Sequence, residues 1–432
     1  MRKHITLFVA LLLALCGYAQ NKNSAYPSDF GTSVVLKGKT VKVLITITNT
    51  GANVINNLTY ELTSDGDNLE RKMVKFNTAV KSGESVQVPL TFKADTECRK
   101  SVKEFTVTRL NSVANASKQK TATGAVVTIS EKPVVTPLVE EYTGTWCGWC
   151  PVGFDGMERA HEAYGQTVSL IAIHSGDVME ASEFQNLVNR VGGFPSAFID
   201  RGDEDIYPTA GELKKQINND ITNKIAAGTI QVSASWANAA RSAIKINTKT
   251  IFVYSDDNAN YGIGFVLTQD GMKGSGSSWA QANNLSHNSN YSSIPFWYNA
   301  PSRVTGIEFN HVGVAAWGLE SGLKGSVSPT FQASEELAYS YNASIAGKTL
   351  IQDKNKLNVI ALLIDRSTGA IVNTAQTTIE DYTTGIESIN NEQLIINNEQ
   401  SDGAVYDLSG RKVNSQLKKG LYIQNGKKFI KK

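Results

Sequence analysis

Apolar and polar residues alternate with period two over the first part of the chain. Val41, Val43, Ile45 and Ile47 alternate with polar residues up to Asn49-Thr50-Gly51. Val86, Val88, Leu90 and Phe92 do the same after Ser82-Gly83-Glu84, and Phe105, Val107, Ala125, Val127 and Ile129 continue the series. A strand points successive side chains to opposite faces, so short alternating runs between Gly, Asn and Asp turns predict an antiparallel β-sandwich over residues 20–132. No Cys–Trp–Cys pattern is present, so any immunoglobulin likeness is architectural. Such a sandwich is a spacer or a binding module; its fold does not decide between them.

Pro133 and Pro137 then keep the chain extended, and the pattern changes. Leu138 to Tyr142, Val168 to His174 and Pro195 to Asp200 read as strands. Helices are predicted from Cys147 to about Tyr164 and from Glu180 to Val191, the latter with Phe184, Leu187, Val188 and Val191 on one face. A third helix opens on a capping box, Thr209 and Glu212, runs through Leu213, Ile217, Ile221 and Ile225, and stops at Gly228. This alternation predicts an α/β domain with a mixed sheet over residues 133–228.

Residues 229–382 return to β patterning, with Ile230, Val232, Ala234 and Trp236 alternating and Leu357 to Ile364 nearly all apolar. A long polar segment, Asp270 to Tyr298, carries Trp279, Tyr291, Phe296 and Trp297. It is either a binding surface or a loop pinned by inward aromatics. In residues 383–432 a near-repeat, Asn390-Asn391-Glu392-Gln393 and Asn397-Asn398-Glu399-Gln400, forms a linker. A small lysine-rich β unit follows, with turns at Ser409-Gly410 and Asn425-Gly426. It is too small for an ordinary core and reads as an address or an anchor.

Composition changes this picture at one end. Arg2-Lys3, the apolar run Ile5 to Cys16 and Gly17-Tyr18-Ala19 read as a signal peptide over residues 1–19, with Cys16 as an alternative lipidation site. No later stretch is long enough for a membrane helix, so an exported chain without a transmembrane helix is expected. The net charge of +2 over 432 residues argues against a general nucleic-acid surface. Of 4 cysteines, Cys98, Cys147 and Cys150 remain after cleavage. That is too few for a disulfide scaffold.

Cys147-Gly148-Trp149-Cys150 is the candidate chemistry. It follows a strand and precedes a helix, where unpaired N–H groups and the helix dipole stabilise a thiolate. The second cysteine lies close enough to resolve a mixed disulfide on the first. The same pair also admits an inert disulfide, half of a zinc site, or a redox fold retained only for binding. Cys98 lies in a polar loop beside Arg99 and Lys100, as a free thiol, one that pairs with a second chain, or one that exchanges with the active pair. His161 and His174 are weaker candidates, as are the Arg201-Gly202-Asp203 tripeptide and the acidic pair Asp256-Asp257. No metal site or cofactor is expected.

Residues 138–228 resemble the thioredoxin superfamily in the strand, in Trp146 before the first cysteine, and in the C-x-x-C itself. Glu141 stands six residues before Cys147, where thioredoxins carry a buried acid. Gly193-Phe194-Pro195-Ser196 stands near the spacing of that superfamily's cis-proline loop. The central Gly148-Trp149 departs from the thioredoxin Gly-Pro and is closer to exported relatives. The resemblance implies Cys147 as an exposed nucleophile, Cys150 as the resolving thiol, and the two as a disulfide when oxidised. It also implies Glu141 as a buried proton carrier, Pro195 as the cis residue, and Trp146, Trp149 and Phe194 as the substrate rim. Strand alternation turns Glu140 the other way.

The whole arrangement resembles the twenty-eight-kilodalton outer membrane protein family of Bacteroidetes. The segment Tyr406 to Val413 with Gly420 to Ile423 resembles the C-terminal sorting domain of type IX secretion cargo. The resemblances imply a thiol–disulfide oxidoreductase of the cell envelope or surface, acting on protein thiols or disulfides, with secretion machinery as the partner of the tail. The alternative is a binding or adhesion protein that keeps the fold as a scaffold.

Overall fold

The computed structural model describes residues 22–382, 404–407, 412–413, 419–424 and 427–431. The expected signal peptide with Cys16, the near-repeat linker and the turns at Ser409-Gly410 and Asn425-Gly426 lie outside the described residues. The chain divides into two compact units, Met1–Tyr382 and Thr383–Lys432. Strands dominate the described residues of both.

The N-terminal strands are β1 (Ala25–Pro27), β2 (Gly31–Leu36), β3 (Thr40–Asn49), β4 (Ile55–Ser64), β5 (Asp67–Val80), β6 (Ser85–Lys93), β7 (Lys100–Leu110), β8 (Val113–Ala114) and β9 (Thr121–Ile129). They form two sheets, β1-β3-β6 and β2-β9-β7-β4-β5. The alternating positions meet between them: Ile45, Ile47, Val88 and Leu90 share a core with Leu58, Tyr60, Phe105 and Val107. One pairing departs from an antiparallel sandwich, because β2 runs parallel to β9, Gly31 beside Gly124 to Leu36 beside Ile129. A parallel neighbour needs a long crossover, and here the intervening strands supply it.

Twelve strands follow: β10 (Leu138–Thr143), β11 (Ser169–His174), β12 (Ser196–Ile199), β13 (Gly228–Trp236), β14 (Ala243–Phe252), β15 (Tyr261–Gln269), β16 (Gln281–Ala282), β17 (Arg303–Val304), β18 (Val312–Trp317), β19 (Glu336–Ser344), β20 (Leu357–Asp365) and β21 (Ile371–Glu380). Ten of them make one sheet in the order β12-β10-β11-β18-β15-β20-β21-β13-β14-β19. β10 and β11 are parallel, β12 is antiparallel to β10, and β18 joins β11 through Ala172 beside Val312. The α/β segment and the second β segment therefore share a sheet. Both faces of β10 and β11 are buried, which suits the apolar run Leu170 to Ile173 of β11 and puts the acids Glu140 and Glu141 of β10 inside the fold.

Helix α1 (Pro151–Tyr164) crosses from β10 to β11 and packs Met157 and Ala160 with Val139 and Leu170. It opens at Pro151 rather than Cys147. Proline suits this first position, where no N–H is needed inside the helix. The helix expected over Glu180 to Val191 is reduced to a 3₁₀ turn, Ser182–Phe184, and one turn, α2 (Gln185–Val188). Past Val188 the chain closes tighter turns, with the Arg190 N–H donating to the Leu187 carbonyl and the Val191 N–H to the Val188 carbonyl, each at 3.0 Å. In α3 (Ala210–Asn223), Thr209 Oγ1 accepts the Glu212 N–H at 3.2 Å, the half of the capping box that fixes the helix start. α3 ends at Asn223, short of Gly228, as Lys224 turns extended and donates to Asp200 Oδ2 at 2.5 Å and to the Ile371 carbonyl at 2.8 Å. Leu213 and Ile217 bury fully against β10, each contributing about 1.5–3 kcal/mol.

The segment between β15 and β18 is ordered by the β16–β17 pair and by α4 (Pro295–Asn299). Its aromatics divide: Trp297 is buried against Phe154 of α1, whereas Phe296 is exposed. In the second unit, β22 (Val405–Tyr406), β23 (Gly420–Gln424) and β24 (Lys427–Lys431) form a three-stranded antiparallel sheet. Tyr422 and Phe429 lie cross-strand on it, 5.9 Å apart.

Candidate functional site

β10 delivers the chain to a turn in which the Cys147 N–H donates to the Gly144 carbonyl at 3.0 Å. Cys150 stands immediately before α1, at its N-cap position, with a helical backbone and no side-chain cap. The two cysteines form a disulfide, with Cα atoms 5.4 Å apart. The Cys150 N–H points at Cys147 Sγ, 3.1 Å away. An amide dipole aimed at that sulfur favours negative charge on it, as the helix N-terminus beside it does.

The expectation of an exposed Cys147 is corrected: only 4% of it is accessible. The cause is a strip of chain from the β15–β18 segment. The Ala282 N–H donates to the Thr145 carbonyl and the Asn284 N–H to the Gly148 carbonyl, each at 2.8 Å. Gln281 Nε2 donates to the Cys147 carbonyl at 2.9 Å. The strip runs so close that a Cβ on Gly148 would lie 2.5 Å from the Asn284 side chain. A larger residue at the first place between the cysteines would push the exposed Asn284 side chain aside.

Around this covered pair the rim is open. Trp146 is 52% exposed and Trp149 42%. Trp146 Nε1 donates to the Ser175 carbonyl at 2.7 Å, and its ring lies 5.5 Å from that of Phe194. The Phe194–Pro195 peptide is cis. Pro195 is buried and Phe194 half-buried. Among the described residues, the backbone of Gly193 and Phe194 makes no backbone–backbone hydrogen bond. On the other side Trp149 packs 5.8 Å from Tyr291, whose hydroxyl lies 3.5 Å from that of Tyr207.

The adjacent acids of β10 part as strand geometry requires. Glu140 receives Arg201 Nε at 3.1 Å and Nη2 at 2.9 Å, both groups fully desolvated. Glu141 has no cation. Its Oε1 is buried without a hydrogen-bond partner, against Gly153 of α1, where a Cβ would lie 2.3 Å away. Burial pushes the Glu141 carboxyl up to about 8, an effect that hydrogen bonding to Thr143 only partly offsets. Glu141 and Cys150 line one enclosed cavity of 20 Å³, together with Thr143, His174, Gln281 and His311.

No family model matches the sequence, and no curated protein matches it. Similar solved structures include HBP35 of Porphyromonas gingivalis, 16% identical over 69% of this chain and 97% of that one, with a TM-score of 0.43. A domain of the outer membrane lipoprotein Omp28 from Porphyromonas gingivalis is 12% identical over 37% of this chain and 93% of that one, with a TM-score of 0.20. The CARDB domain of the PF1109 protein from Pyrococcus furiosus is 16% identical over 25% of this chain and 94% of that one, with a TM-score of 0.22. Likeness at these levels assigns no family.

The weaker candidates take structural places. His174 Nδ1 bonds Asp177 Oδ2 at 2.8 Å, and both are buried. Burial alone would raise the Asp177 carboxyl, but His174 and the Thr145 and Met179 amides outweigh it and hold it below the usual range. Arg201 is 5% exposed and held by Glu140, so the Arg-Gly-Asp tripeptide is not displayed. Asp256 is paired with Lys100 at 3.1 Å. Arg99 beside Cys98 is held by Asp65 and Asp95. Among the described residues no group of His, Cys, Asp or Glu is arranged to hold a metal, and no helix is long and apolar enough to cross a membrane.

Sequence reasoning missed Gln281, Asn284 and His311. All three arrive from more than a hundred residues beyond the cysteines, in polar stretches with no period. The one available signal was the length of the Asp270 to Tyr298 segment itself.

Proposed function

We propose that the chain is an exported thiol–disulfide oxidoreductase with a thioredoxin-like unit, acting on protein disulfides through Cys147 and Cys150. Glu141 carries this reading. A carboxyl buried without a cation, and with one oxygen unpaired, costs stability, and an inert disulfide has no use for one. Beneath a resolving thiol it is a proton carrier with a value near neutrality.

The reaction runs in two exchanges. The Cys147 thiolate attacks a substrate S–S bond, forming a mixed disulfide and expelling one substrate thiolate. Cys150 gives its proton to the Glu141 carboxylate, and its thiolate attacks Cys147 Sγ. The Cys147–Cys150 bond forms and the second substrate thiolate leaves with the electron pair. Substrate is reduced by two electrons, and the pair is left oxidised until a dithiol donor resets it. The free backbone of Phe194 offers strand-like hydrogen bonds to a substrate chain beside Trp146. The rim of Trp146 and Trp149 offers apolar contact. Export to the envelope or surface rests on the leader sequence, and engagement of secretion machinery rests on the C-terminal tail.

One observation favours the scaffold reading: the strip Gln281 to Asn284 covers the pair. Turnover decides. The reduced protein should reduce a model protein disulfide, Cys147→Ser should abolish this, and Cys150→Ser should accumulate a mixed disulfide with the substrate. A wild-type protein with no turnover and no trapped species leaves the scaffold reading standing.

A further inference from the structure

Two buried polar atoms that find no hydrogen-bond partner belong to residues of the same enclosed cavity: Glu141 Oε1 and His311 Nε2. The cavity is 20 Å³, room for about one water molecule. Cys150 forms part of its wall. His311 comes from the loop before β18, in the half of the sheet that holds no cysteine. We infer that His311 is a positioning residue for the redox reaction, taking the proton of Cys150 from Glu141 through a water in this cavity and passing it toward solvent.

The environment of His311 suits that task. Its Nδ1 lies 3.5 Å from Asp270 Oδ1, and Asp270 is about a third exposed. Asp270 is itself fixed, accepting the His311 N–H at 2.8 Å and Asn358 Nδ2 at 3.1 Å. With Nδ1–H turned to this carboxylate, Nε2 presents its lone pair to the cavity. A proton received at Nε2 releases the one on Nδ1 to Asp270 and bulk water. The other charged or titratable groups facing the imidazole are His161, 4.9 Å away ring to ring, Glu158 of α1, held by Asn310 Nδ2 at 2.8 Å, and His174 across the cavity. Burial lowers the His311 value, with His161 adding to this and Asp270 and Glu158 opposing it, so the resting ring is neutral and able to accept.

The need for an exit follows from the chemistry. Resolution moves one proton from Cys150 S–H to the Glu141 carboxylate as the Cys147–Cys150 bond forms and the substrate thiolate leaves. Glu141, with its raised value, is mostly protonated at neutral pH and must shed a proton before it accepts another. Glu141 is buried, and the cavity it shares with His311 gives that proton a way out. Above the Glu141 value the carboxylate is already free, and the relay becomes unnecessary.

This rests on the oxidoreductase reading, and a single-turnover experiment separates the two. The fully reduced chain, carrying Cys98→Ser so that this free thiol adds no signal, is mixed rapidly with one equivalent of dithiobis(nitrobenzoate), from pH 6 to pH 10. The first thiolate released reports attack by Cys147, and the second reports resolution by Cys150. His311→Gln should leave the first phase unchanged and slow the second by about tenfold or more below pH 7, within the range of acid–base assistance. The two proteins should converge above pH 9. An unchanged second phase, or equal slowing at every pH, overturns the relay while leaving the oxidoreductase reading intact. Absence of both phases in the wild type overturns both. Where His311→Gln lacks the first phase and so is misfolded, Asp270→Asn is judged by the same criteria.

Discussion

The two faces of β10 carry the same side chain in opposite circumstances. Glu140 and Glu141 are neighbours and both are buried. On one face Arg201 answers Glu140 with a bidentate pair, and Leu138 and Tyr142 pack beside it into an apolar core. On the other, Glu141 meets Gly153 and a cavity that Cys150 also lines. A buried acid with a matched guanidinium is part of the framework. A buried acid without a cation holds a proton that chemistry can use. The difference lies in the partner supplied, since burial and residue type are shared.

The largest effect should come from breaking the framework face. Arg201→Met leaves Glu140 buried and uncompensated and should destabilise the fold by roughly 3–5 kcal/mol in denaturant titration. The pH dependence of thiol exchange in the surviving folded protein should not move. A variant that kept its stability, or whose exchange profile shifted, would erase the distinction between the faces.

Glu141→Gln should act in the opposite sense. The folded value of Glu141 is raised to about 8 from an ordinary 4.5. The stability associated with its neutral form is therefore fully present below pH 4.5 and is lost as pH rises through 8. Unfolding measured at pH 5 and pH 9 should show the wild type losing up to a few kcal/mol that the variant keeps. Resolution of a mixed disulfide should slow in the same variant.

The smallest effect concerns the covering strip. Gln281→Ala removes the hydrogen bond to the Cys147 carbonyl and should cost about 1 kcal/mol. Reduction of the Cys147–Cys150 disulfide by a small dithiol should become faster, because the strip that hides the pair is loosened. Unchanged reduction kinetics would show that access to the sulfurs does not run past Gln281.

What could be foreseen in this molecule was local. The β10 strand, the turn, the cysteine pair and α1 follow one another, so pattern and spacing placed them together. The alternation of a strand separated Glu140 from Glu141. Pro195 stands where the thioredoxin resemblance implies a cis proline. The covering strip and His311 were invisible because they meet the cysteine segment only through tertiary contacts, the strip by direct backbone hydrogen bonds and His311 beside the β11–β18 pairing. A tertiary contact of that kind leaves no period. The foreshortened α2 shows the same limit from the other side: the apolar spacing of Phe184, Leu187 and Val188 suits a longer helix, but the bonds after Val188 shift to tighter turns.

The claim that Glu141 marks the chemical face is tested most directly by its own titration. Carboxyl carbon resonances, assigned by comparison with Glu141→Gln, should show one buried glutamate with a midpoint near 8. A Glu141 that titrates near the ordinary value of 4.5 would contradict the account, because the carboxyl would then be solvated or paired and no more poised for proton transfer than a surface acid.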